Sequence, residues 1–398
     1  MDRGRAWSRQ LRAWFDVKVC VVGPTYPYRG GISHYTTLLV RHLRAMGHST
    51  HLYSFTRQYP RWLFPGKTDE DPSAAPLRTD CEYVLDPLNP ATWRRLYRRI
   101  RANAPDVLVL QWWVPYWTPC LAMISRWIKR NTDIRIVFIC HNVVPHDGGG
   151  ALDRWLATLA LHRGDVFIVH SEQNRHELEM LLPHVTVIKA QFPSYAELAD
   201  NSSDRSVGEL RRQLGLPNGH RAMLFFGFVR PYKGLDYLVG ALPLVLEKLR
   251  VRLVVVGEFW SPVEFYQRIA RELGVEHAVT FVNRYIPNED LKPYFDLADV
   301  VVLPYVSATQ SAVVQLAFGF GKPVITTRVG GLHEVVQDGV NGLIVPPQDR
   351  HVLADAIVRF YEQNLGSRFT ANILSQYAQQ RHSWAALVQV IEQAIEHG

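Results

Sequence analysis

The chain is poor in several features that would each have pointed somewhere definite. It has four cysteines, Cys20, Cys81, Cys120 and Cys140, with no paired spacing, so no disulfide framework is spelled out. Cys20 and Cys140 stand inside apolar strand-like runs, which fits buried, reduced thiols and a cytoplasmic location. No apolar run reaches the roughly 20 residues a membrane span needs, because the most hydrophobic segment, WWVPYWTPCLAMI, is broken by Pro115 and Pro119. The opening MDRGRAWSRQLRAWFDV has a basic region but no apolar core behind it, so no signal peptide is expected. Acidic residues are scarce in the first half: residues 1–195 carry 25 Lys and Arg against 16 Asp and Glu, net +9, whereas 196–398 carry 19 against 21, net −2. The two halves therefore face different electrostatic partners. No nucleic-acid motif accompanies the positive charge, so nucleic acid is not an expected partner.

What the sequence does have is alternation. Strand-like apolar runs alternate with amphipathic stretches almost throughout, the pattern of parallel α/β architecture. Strands are expected at 17–23, 50–55, 106–111, 134–140, 166–170 and 185–189, and again at 222–227, 252–257, 279–283, 300–304, 323–327 and 342–346. Several are apolar without alternation, as strands covered on both faces should be. The polar stretch AELADNSSDRS reads as a linker. The organisation expected is thus a Rossmann-like domain over 1–195, a linker over 196–206, a second Rossmann-like domain over 207–366, and C-terminal helices over 367–398. The fold class is α/β, two doubly wound domains facing across a cleft.

Doubly wound sheets bind ligands beyond the carboxyl ends of their strands, where helix N-termini offer free N–H groups. The loop GPTYPYRGGISHY puts Gly30 and Gly31 between the first strand and a helix. It is not the G-x-G-x-x-G fingerprint and no acidic residue ends the second strand, so no nicotinamide cofactor is expected. A tight turn with no ligand is the plainer alternative there. In the second half, Arg230 and Lys233 follow a strand, where guanidinium and ammonium together suit a diphosphate leaving group. Thr309, Gln310 and Ser311 stand just before an apolar helix, so a hydroxyl could cap it while amides point outward. Gly330 and Gly331 then turn into a short helix carrying Glu334. Two solvated loop cations would be the plain reading of Arg230 and Lys233 alone; three anion-ready loops in one sheet shift the balance. The DED at 69–71 has the form of a metal-binding Asp-x-Asp but sits in a proline-flanked loop, so it reads as solvated and no catalytic metal is expected.

Residues 222–349 resemble the donor domain of retaining glycosyltransferases of family 4 with the GT-B fold, through G-x-x-R-P-x-K-G, L-A-D-V-V-V-L-P, G-K-P-V-I and G-G-L-x-E-V-V-x-D-G-x-N-G-L-I-V-P. The first half is similar through its Gly30-Gly31 loop and CHNVVPHD at 140–147. The resemblance implies transfer of a sugar from a nucleotide diphosphate sugar to a glycan or lipid-linked acceptor, with retention and without a cofactor. It implies that Arg230 and Lys233 hold the donor diphosphate, and that His141, with His146 the weaker candidate, faces the reacting groups. The donor loops are then those of Gly30, Gly31, Gln310, Ser311, Ala312, Gly330, Gly331 and Glu334. Two departures stand out. Phe228 occupies the place where the family often has arginine, and Ala308 and Leu316 occupy the places of its two glutamates, with Gln310 or Gln315 as the nearby substitutes. Two alternatives follow: a GT-B nucleotide-sugar epimerase, or a sugar-nucleotide-binding protein with impaired catalysis.

The first half also invites a membrane. Trp7, Leu11, Trp14 and Phe15 recur at helical spacing among Arg3, Arg5, Arg9 and Arg12, and WRRLYRRIR at 93–101 repeats the theme with Trp93, Leu96 and Ile100. The cluster WWVPYWTP at 112–119 is a third aromatic group. Packing on their own domain with solvated arginines is the plain reading; peripheral docking on the inner face of an anionic membrane is the functional one.

Overall fold

In the computed structural model, the chain is described over residues 17–60, 62–64, 66–145, 149–200, 206–217, 219–380 and 383–396. It divides into two units. One takes the chain up to Asp71, Leu77–Phe192 and His382–Gly398; the other takes Pro72–Pro76 and Pro193–Arg381. The candidate helix around Trp7 and Trp14, and His146, lie outside the described residues.

The first unit holds seven parallel strands: β1 (Lys18–Val22), β2 (Ser49–Phe55), β3 (Glu82–Leu85), β4 (Val107–Trp112), β5 (Arg135–Cys140), β6 (Val166–Val169) and β7 (Thr186–Lys189), in the order β3-β2-β1-β4-β5-β6-β7. Six were expected from the sequence. The seventh, β3, is a four-residue edge strand with half its residues exposed, too short to show an apolar run. β4 is buried along its whole length, as a central strand covered on both faces must be.

The order in which successive strands are added across the sheet reverses between β1 and β4. Crossovers in parallel sheets are right-handed, so helices Pro90–Asn103, Thr118–Asn131 and Ala151–Leu161, which follow β3, β4 and β5, form one layer, each packed on the next. Helix Gly31–Ala45 covers the other face and packs against Ser383–Glu396, the last described helix. The aromatic cluster at 112–119 is a core feature: Trp112 and Trp117 are fully buried, and Trp113 bonds the Tyr59 hydroxyl from Nε1 at 2.8 Å. That segment is closed to a membrane because its rings pack against Phe55 and Tyr59. Leu96 and Ile100 likewise face the core, so the apolar side of helix Pro90–Asn103 is used internally.

The second unit holds six parallel strands: β8 (Arg221–Phe226), β9 (Val251–Val256), β10 (Val279–Val282), β11 (Val300–Leu303), β12 (Val324–Thr327) and β13 (Gly342–Val345), in the order β10-β9-β8-β11-β12-β13. All six were expected. The reversal point lies between β8 and β11, so the loops leaving these two neighbouring strands open side by side at the sheet's carboxyl edge. Ala196–Asp200, inside the expected linker, is a short helix packed on Ala312–Gly319.

Candidate functional site

Loop geometry at the reversal point of the second unit brings the sequence's candidates together. The chain leaves β8 through Gly227, whose φ of 104° only glycine holds without strain. It runs past Arg230 into a single turn, Pro231–Lys233, and enters helix Leu235–Leu246 through Gly234. Gly234 has φ 66°, and a Cβ there would fall 2.0 Å from the carbonyl oxygen of Pro304 in the loop after β11. That contact and the bond from Val306 N to Tyr232 O, 2.7 Å, clamp the two loops together.

Lys233 is buried, with its Nζ 5.0 Å from the ring centre of Tyr305. Burial pulls its pKa below that of an ordinary lysine, and the charge of Arg230 adds to the fall. Among the described residues no carboxylate pairs with it. Arg230 is half-buried between aromatic faces, its guanidinium carbon 5.1 Å from the ring centre of Tyr232 and 5.2 Å from that of Trp260. Phe228 joins this group, its ring tilted against that of Trp260 with centres 4.8 Å apart. Phenylalanine at 228 therefore helps hold the arginine that stands two residues further on. A buried ammonium next to a guanidinium is an unstable pairing that an anion would relieve, since a negative charge restores the lysine's affinity for its proton.

The loop after β11 adds Thr309, Gln310 and Ser311 ahead of helix Ala312–Gly319. Ser311 is the N-cap residue, yet its hydroxyl does not cap the helix; it sits 3.5 Å from the Tyr305 hydroxyl. The hydroxyl cap expected from the sequence is thus absent because the side chain turns toward Tyr305, and the first-turn amides, Ala312 among them, receive no side-chain cap from Ser311. Gln310 reaches the carbonyl of Gly331 at 3.5 Å, and Gly331 N bonds Thr309 O at 2.8 Å, so the loop after β12 is tied to the loop after β11. Gly330 allows that approach: its φ is 50°, and a Cβ would fall 1.8 Å from the Ala308 carbonyl oxygen. Glu334 is partly buried in the short helix Leu332–Val335. Ala308 and Leu316 are both buried, so no carboxylate stands at either place, and Gln315 is buried as well.

In the first unit, Gly30 has φ 110° and gives way to helix Gly31–Ala45. His141 follows β5, partly exposed, with Nε2 2.6 Å from the Gln111 Oε1 at the end of β4. Tyr35, on the helix that Gly31 opens, lies edge-on to His141 with ring centres 4.7 Å apart. Its hydroxyl is 2.9 Å from Nε2 of buried His170, whose Nδ1 is 3.0 Å from the Ala190 carbonyl. Burial pushes the pKa of His141 down to about 3, helped by His170, and that of His170 down to about 4. Both rings are therefore neutral near pH 7. The DED stretch is solvated only in part: Glu70 is exposed, but Asp69 O and Asp71 N bond Arg29 N and Pro27 O, and Asp71 is buried against the glycine loop, 3.9 Å from His34.

Sequence reasoning missed Tyr305, Gly227, Gln111 and His170. Gln111, His170 and Gly227 each close or follow an apolar strand, as in VLVLQ, VFIVH and LFFG, which is at most a faint signal, and Tyr305 after VVVLP has none.

Residues 220–363 match the family model described as glycosyl transferases group 1, and residues 29–190 match that of glycosyltransferase family 4, which between them span most of the chain. An uncharacterized glycosyltransferase of Methanocaldococcus jannaschii is 30% identical over 174 residues, 44% of each chain. A D-inositol 3-phosphate glycosyltransferase of Corynebacterium aurimucosum is 29% identical over 239 residues, 57% of this chain and 56% of that one. The chain thus spans about half the length of these relatives. The solved structure of Anabaena HepE in complex with UDP superposes with a TM-score of 0.72 at 17% identity, covering 95% of this chain and 99% of that one. The superposition shows the GT-B fold, and the two family models, one on each parallel-sheet unit, place the chain among the glycosyltransferases of family 4 and group 1.

Proposed function

We propose that the protein transfers a hexose from a nucleotide diphosphate sugar to an acceptor with retention of anomeric configuration, in the synthesis of a glycan, polysaccharide or glycolipid. The observation that carries this reading is buried Lys233, without a carboxylate partner among the described residues, set beside Arg230 where the sheet reverses. In the reaction the bond from the anomeric carbon to the diphosphate breaks, and the acceptor oxygen forms a bond to the same carbon from the same face. The acceptor's proton passes to the departing diphosphate oxygen. Charge grows on that diphosphate as the bond breaks, so cations already in place stabilise the transition state more than the ground state. Arg230 supplies a planar fork and Lys233 a point charge, with the amides ahead of helix Ala312–Gly319 and around Gly330 and Gly331 completing the cradle. Two cationic side chains do here what a metal does elsewhere, so the reaction is read as metal- and cofactor-independent.

His141, neutral and oriented by Gln111, would donate to or accept from a sugar or acceptor hydroxyl without adding charge. HepE was solved with UDP, which supports a uridine nucleotide as the first donor to try. The relatives' names favour transfer over epimerisation or binding alone. A cytoplasmic site of action is supported by Cys20, Cys120 and Cys140, buried and unlinked. Among the described residues no helix is long and apolar enough to cross a membrane, so contact with a lipid-linked acceptor would be peripheral.

The test is a melting-point screen against nucleotide diphosphate sugars followed by product analysis. A ligand that raises the midpoint and yields a glycosylated acceptor supports the reading. Epimerised donor without acceptor, or binding with no turnover across an acceptor panel, replaces it with one of the alternatives.

A further inference from the structure

The layer formed by helices Pro90–Asn103, Thr118–Asn131 and Ala151–Leu161 carries a surface that the donor reading does not use. Over these three helices the sequence places nine cations, Arg94, Arg95, Arg98, Arg99, Arg101, Arg126, Lys129, Arg130 and Arg154, against one acid, Asp153. Two of the nine are matched from outside the layer, Arg99 by Glu82 and Lys129 by Asp165. Arg94, Arg95 and Arg98 pair with no carboxylate among the described residues. Together with Arg99 and Trp127 they line a groove of about 740 Å³. So dense a positive field has no internal use, because the apolar side of helix Pro90–Asn103 is already spent on the core.

The same layer also exposes an apolar stripe. On helix Ala151–Leu161, Leu152, Trp155 and Leu159 are 66%, 59% and 38% exposed, and their spacing of three and four puts them on one side of the helix. Met123, 36% exposed, adds to it from the middle helix. A solvated charge face alone would need no such residues, and a soluble polyanion would gain little from them. Arginines for phosphate headgroups, and Trp, Leu and Met on the same helix layer for the headgroup-acyl boundary, are the two halves of an interfacial membrane site.

We propose that this helix layer docks on an anionic phospholipid bilayer, with Arg94, Arg95 and Arg98 against the headgroups and Leu152, Trp155 and Leu159 entering the interface. The inference stands on a different surface from the donor site and does not depend on it.

The experiment uses the full chain and sedimentation with two kinds of vesicle, phosphatidylglycerol mixed with phosphatidylcholine, and phosphatidylcholine alone. The wild type should pellet with the first and remain in solution with the second. A variant combining Arg94→Ser, Arg95→Ser and Arg98→Ser should lose roughly a hundredfold in partitioning, because each arginine near an anionic surface contributes about fivefold. Trp155→Ser should lose on the order of tenfold and leave a remnant that salt abolishes. All four positions are exposed, and an unchanged melting midpoint will show that the fold is intact. Residues 1–16 are common to every variant, so vesicle binding that survives both sets of changes would assign the affinity elsewhere and overturn the proposal. So would the absence of wild-type binding at low salt, or equal capture by soluble heparin with no effect of Trp155→Ser.

Discussion

The Cβ that any other residue would carry at Gly227 falls 3.1 Å from Nζ of Lys233. The turn after β8 thus leaves the ammonium its room, and it does so with a backbone, φ 104°, that side chains resist. Gly227→Ala should cost about 1–3 kcal/mol of stability in chemical denaturation, from backbone strain. It should also weaken UDP binding in calorimetry as Lys233 shifts; an unaltered affinity would mean that the lysine does not need this space.

Removing Lys233 should strike the chemical step. Lys233→Ala is expected to lower kcat by about 10²–10³, the range for deleting one preorganised group facing developing charge. Arg230→Lys keeps the charge but loses the planar fork and its place between Tyr232 and Trp260, so it should recover only part of what Arg230→Ala loses. Initial-rate kinetics across donor concentrations distinguish this from a loss of ground-state binding, which would raise KM and leave kcat unchanged.

The two positions where the family carries glutamate should not accept it. Ala308 lies beneath the Gly330 turn and Leu316 in the apolar helix Ala312–Gly319, both buried. Ala308→Glu or Leu316→Glu would bury a carboxylate without a prepared partner, costing about 2–5 kcal/mol. Lower melting points with no gain in transfer are expected. A gain in activity from either substitution would show that the pocket retains the family's arrangement.

Stability should fall on mild acidification. His141 and His170 titrate near 3 and 4 in the fold against 6.5 in the unfolded chain. Below pH 6.5 the unfolded state binds protons that the folded state refuses, so their contribution, complete above 6.5, is lost progressively down to about 4. The slope should approach 1.4 kcal/mol per pH unit for each histidine, roughly. Denaturation titrations at several pH values on the wild type and on His170→Asn provide the check. Identical slopes in the two proteins would remove the histidines as the cause.

Most of the architecture was legible because it rests on short-range regularity. Twelve of the thirteen described strands announce themselves as apolar runs, and β3 fails only because an edge strand needs no continuous apolar side. The site was legible in part. Arg230, Lys233, Gly330 and Gly331 could be picked out because charge and glycine at a strand end are uncommon. Tyr305 and Gln111 could not, since a tyrosine after VVVLP and a glutamine after VLVL look ordinary until the fold brings them beside Lys233 and His141. The aromatic run at 112–119 misled for the opposite reason: composition cannot say whether tryptophans face a core or a lipid, and here Phe55 and Tyr59 had already claimed them.

Strand runs, turn glycines and the clustering of arginine are local quantities, and so the order of letters determined two parallel α/β units, the loops that carry their chemistry and a positively charged first half. Which side of each helix meets water is settled by packing between distant segments, and only that tertiary arrangement decided the rest. It buried Lys233 beside Arg230, turned the Ser311 hydroxyl away from its helix, and left Trp155 exposed on the same helix layer as Arg94, Arg95 and Arg98.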